Sequence, residues 1–291
     1  MGQPFINPTK DVKTFREQIC ILQDRGIIIE NTQEAITVLQ RVNYYRLIAY
    51  GLSLKDSAVE NRYIAGTTFN KLVYIYEFDK KLRQLLLSTL ESIEIAFRTH
   101  IAYHHAHEYG ALGYEDSSNF TSSEYHSTFL TSLDSFFDNN KTELFVSHHR
   151  TKYNSVFPFW VAIEVLSFSA LSKLFRNLHD KDRLYISKHY YKTHSKYIQS
   201  WLHTLTTIRN ICAHHGRLYG KKLTIKPLLF SELSSKVNND DLFAAVIILG
   251  KLLNTTERRS LSTTLTVLID QYHEYIDISN MGFPENWDDF I

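Results

Sequence analysis

Apolar residues recur at three- and four-residue spacings along much of the chain, the period of helices that bury one face. A first helix is predicted from Lys10 to Asp24, with Thr9 as N-cap, Gly26 just past its end, and Val12, Phe15, Ile19 and Leu22 buried. Asn31 followed by Glu34 has the form of a capping box, and Ala35, Ile36, Leu39 and Val42 give the second helix its apolar side. A third begins at Asn43-Tyr44-Tyr45-Arg46. Two short helices and a break suit either a helical lid or a DNA-binding helix-turn-helix. After the polar loop Lys55 to Arg62, one long pattern runs from Thr68 to Tyr109, with Leu82, Leu86, Leu90, Ile93, Phe97 and Ile101 in register.

Gly110 to Ser123 is polar and without period, so a mobile insertion is expected there. Phe129, Leu133 and Phe136 mark a further helix. Pro158 is placed in the first turn of an apolar helix through Leu178, and Asp182 begins a shorter segment. Ser195 to His215, Asp240 to Leu253 and Thr256 to Tyr275 complete the helices. With 10 Gly and 5 Pro in 291 residues, tight turns are too few for a sandwich or for phosphate loops, and the fold class is all-α. The expected division is an N-terminal helical extension, 1–66, and a helical body, 67–291.

The formal charge is +1, from 32 basic and 31 acidic residues, so nucleic-acid contact requires a local patch. Cys20 and Cys212 are too far apart in sequence for a CxxC zinc motif and suit a reducing compartment. Gln3, Asn7, Lys10 and Asp11 interrupt any apolar run after Met1, and Leu242 to Leu253 is too short to span a bilayer. A cytoplasmic protein without membrane contact is expected.

The chemistry concentrates in Ser195 to His215. Laid out at about 100° per residue, Ile198, Trp201, Leu202, Leu205, Ile208 and Cys212 form the face to be packed. His203, Thr206, Thr207, Asn210 and His214 form a polar ridge. Arg209 sits at the apolar edge, where a guanidinium needs a carboxylate, a phosphate or another subunit. Arg209, Asn210, His214 and His215 thus bring a permanent cation and one or two imidazoles to one helix end. Such groups suit metal-free RNA cleavage, with His taking the ribose 2′-OH proton and Arg holding the charge on phosphorus. The alternative is structural: Arg and His near a helix end also bind carbonyls and complement the dipole.

The run Arg-Asn-x-Cys-Ala-His-His-x-Arg, Arg209 to Arg217, resembles the motif of the Abi-like (AbiD/AbiF) abortive-infection proteins of the HEPN superfamily. Other blocks agree: Asn43-Tyr44-Tyr45-Arg46-Leu47 with Tyr50-Gly51, Phe78-Asp79 with Lys81-Leu82-Arg83, Glu91, Ile93, Glu94, Ala96 and Arg98 with Tyr109-Gly110, and Pro158-Phe159-Trp160 with Glu164. The resemblance covers roughly Lys10 to Lys226. The resemblance implies a HEPN-like helical bundle and an endoribonuclease of an anti-phage or RNA-regulated toxin system. Its composite site would be built from two Arg-x(4)-His motifs, without metal or cofactor, in a homodimer. It points to Arg209, Asn210 and His214, with His215 as a second imidazole and Asn210 orienting the His214 ring. It also makes a structured non-coding RNA a plausible partner, and a non-catalytic RNA-binding scaffold the alternative. Related toxins silenced by tyrosine modification carry a Tyr two residues after the motif His. This chain has Gly216 there, which argues against that control.

Arg98 with His104 repeats the spacing as Arg-x(5)-His, followed by His105 and His107. Either this is a second half-site that meets the first within one chain, or Arg98 pairs with Glu94 one turn back. The three imidazoles lack a fourth ligand and a carboxylate at ligand spacing, so no metal is expected. The His148-His149 pair reads as surface. Arg217, Lys221, Lys222 and Lys226 form a cationic track for an RNA backbone, or a solvated loop.

Overall fold

A computed structural model describes residues 11–291. Thirteen α-helices joined by short 3₁₀ turns make up the fold among these residues; no strand forms, and the only β pairing is three isolated bridges. The all-α expectation holds.

Helix α1 (Phe15–Asp24) starts later than the pattern predicted, because Thr14 and Glu17 close a reciprocal capping box. Val12 lies outside the helix and is 97% exposed, and Phe15 is partly exposed, so neither is the core residue it was expected to be. The predicted cap Thr9 lies outside the described residues. At the other end, Gly26 adopts φ +89°, its N–H reaches the Gln23 carbonyl, and that of Ile27 reaches Leu22. This double closure is a Schellman turn, as Gly26 suggested. Helix α2 (Thr32–Leu39) is capped by Asn31, whose Oδ1 accepts from Gln33 and Glu34. Helix α3 (Tyr44–Ile48), capped by Asn43, runs into a 3₁₀ turn at Ala49–Leu54. These elements bury Ile19, Leu22, Ile27, Leu39 and Leu47 against Tyr63, Phe69 and Leu72, a small core of their own.

Helix α4 (Phe69–Tyr109) is the spine. Its 41 residues contain neither Gly nor Pro, and at 1.5 Å per residue they extend about 60 Å. Thr68 caps one end and Gly110, at φ +83°, stops the other. The stripe Leu72, Ile75, Phe78, Leu82, Leu86, Leu90, Ile93, Phe97 and Ile101 is buried, and Asp79 and Arg83 are buried within it.

The 110–123 segment is packed rather than a loose insertion. Tyr114 and Phe120 are buried, Tyr114 donates to the Phe157 carbonyl, and Phe120 bridges to Leu178. Helices α5 (Ser123–Asn139) and α6 (Leu144–Lys152) follow, the second unforeseen; it presents His148 to solvent and half-buries His149. The expected continuous helix from Pro158 to Leu178 is broken. Pro158 precedes the four-residue α7 (Phe159–Ala162), a 3₁₀ turn covers Ile163–Val165, and Ser167 caps a fresh start, α8 (Phe168–Asn177). That interruption frees the Leu166 carbonyl, which accepts from Arg98. Helix α9 (Asp180–Tyr191) starts two residues before the expected Asp182.

Helix α10 (Ser195–Ala213) packs on α4, α8 and α9. After the four-residue α11 (Ser231–Ser234), helix α12 (Leu242–Leu252) buries every residue but Lys251, as an all-apolar helix must. Helix α13 (Thr255–Tyr272) opens on an Asn254–Glu257 capping box and lies along α4. No helix of the described residues is long and apolar enough to cross a membrane.

His105 shows how α4 buries a titratable group. It is fully buried against Tyr109, Phe120 and Phe159, and neither ring nitrogen has a hydrogen-bond partner. Burial pulls its pKa down to about 4, with the Asp182 charge opposing. The folded pKa lies below the unfolded value, so the stability it contributes is complete above about pH 6.5 and is lost as pH falls toward 4. Thermal melts between pH 7 and 4 are therefore expected to show a falling midpoint. His105→Phe, which suits the aromatic cage, should flatten that slope; an unchanged slope would contradict this account.

Candidate functional site

The candidate residues cluster where α10 ends against α4. Ile198, Trp201, Leu202, Leu205, Ile208 and Cys212 are buried, as the arc predicted. Burial pushes the Cys212 thiol up to about 12, which makes it an inert core group. The ridge is only partly open: His203, Asn210 and His214 are exposed, while Thr206 is buried and returns its hydroxyl to the Leu202 carbonyl. Thr206 is therefore a core residue and not part of a binding face.

The helix stops before the two imidazoles. His214 is the C-cap, and His215 takes the left-handed conformation at φ +57°. His215 N–H bonds the Cys212 carbonyl and Gly216 N–H bonds that of Ile211 at 2.7 Å. This is a second Schellman turn, with a histidine in the position glycine usually fills. The turn swings His214 and His215 out of the helix, and both are exposed.

Two networks anchored on α4 surround this helix end, and the first holds the turn. In the first, Asp79, wholly buried, accepts through Oδ1 from the backbone N–H of Leu218 (3.1 Å) and Tyr219 (2.8 Å). Its Oδ2 accepts from Tyr50 at 2.7 Å and from Arg83. Burial raises the Asp79 carboxyl above the usual range, and those four donors work against it. Arg46 of α3 adds a third strap: its Nη1 lies 2.6 Å from the His215 carbonyl.

The second network surrounds Glu94, whose side chain is mostly buried. Arg98 Nη2 lies 2.6 Å from its Oε1, and Arg209 Nε lies 4.0 Å from its Oε2. Burial raises the Glu94 carboxyl, and the two guanidinium charges oppose that rise. Arg209 thus finds on its own chain the carboxylate its position demanded, and Nη1 also lies 3.5 Å from Asn210 Oδ1. An open cleft of about 300 Å³ lies beside it, lined by Glu94, Arg98, Arg209 and the outward-facing Leu87 and Ile95.

The two Arg positions therefore meet across one glutamate within one chain, and Arg98 is also paired with Glu94 as the spacing allowed. Their histidines do not follow them together. His104 lies about 9 Å further along α4, bonded at 2.8 Å to the buried Asp182, which also accepts from Tyr109. These bonds outweigh burial and hold the Asp182 carboxyl below its ordinary value. His107 bonds the Tyr103 carbonyl and His105 faces aromatic rings, so the three imidazoles diverge. Of the cationic track, Arg217 bonds the Tyr219 carbonyl, Lys222 contacts Asp241 and Asp240, and Lys226 contacts Asp240. Lys221 is exposed.

The straps join segments distant in sequence, 43–51, 78–83, 91–98, 158–164 and 209–217, and the known family they fit is decided by a match. A family model described as Abi-like protein matches residues 37–220. The chain belongs to the Abi-like family. That membership suggests a function in abortive infection. No curated protein and no solved structure matches the chain. In this Abi-like protein, the matched residues contain α10, its terminal turn and both anchoring networks.

Asp79, Glu94 and Arg46 were not singled out from sequence as supports for the motif. The available signal was a charge on a core stripe: Asp79 follows Phe78 on the buried side of α4, with Arg83 one turn on. Relief of the left-handed conformation predicts that His215→Gly raises stability by about 1 kcal/mol in denaturant melts. Arg46→Ala, which removes a charged donor at the surface, should lower it by about 1 kcal/mol. A destabilised His215→Gly would contradict the strain reading.

Proposed function

We propose that the end of α10 is the catalytic half-site of a metal-independent endoribonuclease of HEPN type, acting in abortive infection. The observation that carries this reading is the group at the end of α10: Arg209, partly exposed, and Asn210, exposed, on the last turn of the helix, with His214 and His215 set out from it by a strained and strapped turn. His214 takes the proton from a ribose 2′-OH. The oxygen attacks the adjacent phosphorus, the bond to the 5′ oxygen breaks, and a second imidazole protonates that leaving group. Arg209 stabilises the charge on the phosphoryl oxygens. The products are a 2′,3′-cyclic phosphate and a 5′-hydroxyl.

An open half-site on one chain calls for a second. A two-fold dimer would bring two α10 ends together, and the exposed Leu87 and Ile95 beside Arg209 are apolar surface such a contact would cover. Glu94 already balances the Arg209 guanidinium, so the case for the dimer rests on this open face and not on an unpaired charge. With His104 held by Asp182, the second motif brings only Arg98 to the site, beside Glu94.

Cleavage of single-stranded RNA is expected to proceed in EDTA, to leave a 2′,3′-cyclic phosphate and to spare DNA, which lacks the nucleophile. Arg209→Ala and His214→Ala should each lower the rate by at least about a hundredfold without changing the melting midpoint, and Asn210→Ala should cost less. Light scattering at micromolar concentration should give a dimer. A double Arg209→Ala/His214→Ala variant that stays toxic, beside a wild type inert on RNA, would replace this reading with a non-catalytic RNA-binding protein. Charge reversal at Arg217, Lys221, Lys222 and Lys226 would then be the test of RNA capture.

A further inference from the structure

A larger cleft, about 580 Å³, opens on the other side of Arg98, between α4 and α7. Its floor is the row Ala102 and Ala106, one and two turns beyond Arg98, where the small side chains leave room for a flat ring. Tyr103 and Trp160 also line it, and both keep more than half their surface exposed, at 59% and 53%. Trp160 is held in place by its neighbours in sequence. Phe159 is fully buried and its N–H bonds the Ala111 carbonyl at 2.8 Å, which fixes α7 against the end of α4.

The polar end is made by Arg98 and Glu164. Arg98 is immobilised by Glu94 and by the Leu166 carbonyl, both through Nη2. Its Nη1 is 3.5 Å from Glu164 Oε2, a long contact that leaves both groups able to take a better partner. Exposed aromatic faces, a small-residue floor and a carboxylate beside a guanidinium describe a slot for one nucleobase.

We propose that this cleft is a base subsite for guanine, in a strand whose phosphate lies at Arg209. The inference deepens the RNA reading above and rests on it. Guanine presents two adjacent donors, N1–H and the N2 amino group, which suit one carboxylate, and beside them the O6 acceptor, which suits a guanidinium. Adenine and cytosine would turn a ring-nitrogen acceptor toward Glu164, and uracil offers it a single N–H. Arg98 lines both this cleft and the one containing Arg209, so a base held here lies next to the proposed reacting phosphate.

The test uses the full chain and free nucleotides. Trp201 and Trp287 are buried, so quenching of tryptophan emission by a stacking base reports on Trp160. Guanosine 5′-monophosphate is expected to quench it at least about fivefold more tightly than the adenosine, uridine and cytidine monophosphates. Glu164→Gln should abolish that preference, and Trp160→Phe should remove the signal while the melting midpoint stays put. Equal quenching by all four nucleotides, an undiminished preference in Glu164→Gln, or no quenching up to about 10 mM would overturn the subsite. The readout needs no cleavage and should survive in Arg209→Ala/His214→Ala. A protein that cleaves RNA but fails this titration loses only the subsite; one that binds guanosine monophosphate without cleaving RNA loses only the nuclease reading.

Discussion

One buried carboxylate organises the candidate site. Asp79 lies on the core stripe of α4, where an unpaired charge would be prohibitive, and it is tolerated because four donors converge on it. Two of those donors are the backbone amides of Leu218 and Tyr219, just beyond the motif. Such an anion does more than balance Arg83. It fixes where the chain goes after α10, and so fixes the turn that carries His214 and His215. Arg46 completes the arrangement from the N-terminal helices by holding the His215 carbonyl. The N-terminal elements, with a core of their own, thereby reach into the site.

Glu94 performs a related task one network further along. It places two guanidinium groups side by side, Arg98 rigidly and Arg209 loosely, with Arg209 still partly exposed. A cation held near a carboxylate and open to solvent can exchange that partner for a phosphate at modest cost, whereas the Nη2 of Arg98, bound by both Glu94 and the Leu166 carbonyl, is committed. The same difference separates the histidines. His104 is committed to Asp182, while His214 and His215 project from a helix end. Two motifs of similar spacing thus differ in exposure: the histidines of one face solvent, and His104 of the other is held by Asp182.

Much of this was legible in the sequence where a single period governs. The spine 69–109 agrees with its pattern to within a residue, because 41 residues free of Gly and Pro leave no competing conformation. The α10 arc was correct for the same reason. Legibility failed where the determinant is tertiary. Val12 fits the helical period but precedes the Thr14 cap. The apolar run after Pro158 satisfies a helix yet breaks at Ser167, which frees a carbonyl for Arg98. The polar 110–123 segment reads as loose, while Tyr114 and Phe120 tie it down. At the site, spacing brought Arg209 and His214 forward as a pair. It gave no sign that Asp79, 139 residues before Leu218, would hold the turn between them and the rest of the chain.

The claim that Asp79 holds the motif turn is tested most directly by amide hydrogen exchange on an Asp79→Leu/Arg83→Met double variant. Removing both charges together avoids a stranded guanidinium and keeps the core apolar. The account predicts that the Leu218 and Tyr219 amides exchange at least about tenfold faster than in the wild type, while amides of α12 and α13 keep their protection. Unchanged exchange at Leu218 and Tyr219 in a folded double variant would show that the turn is held by something else, and would contradict the account.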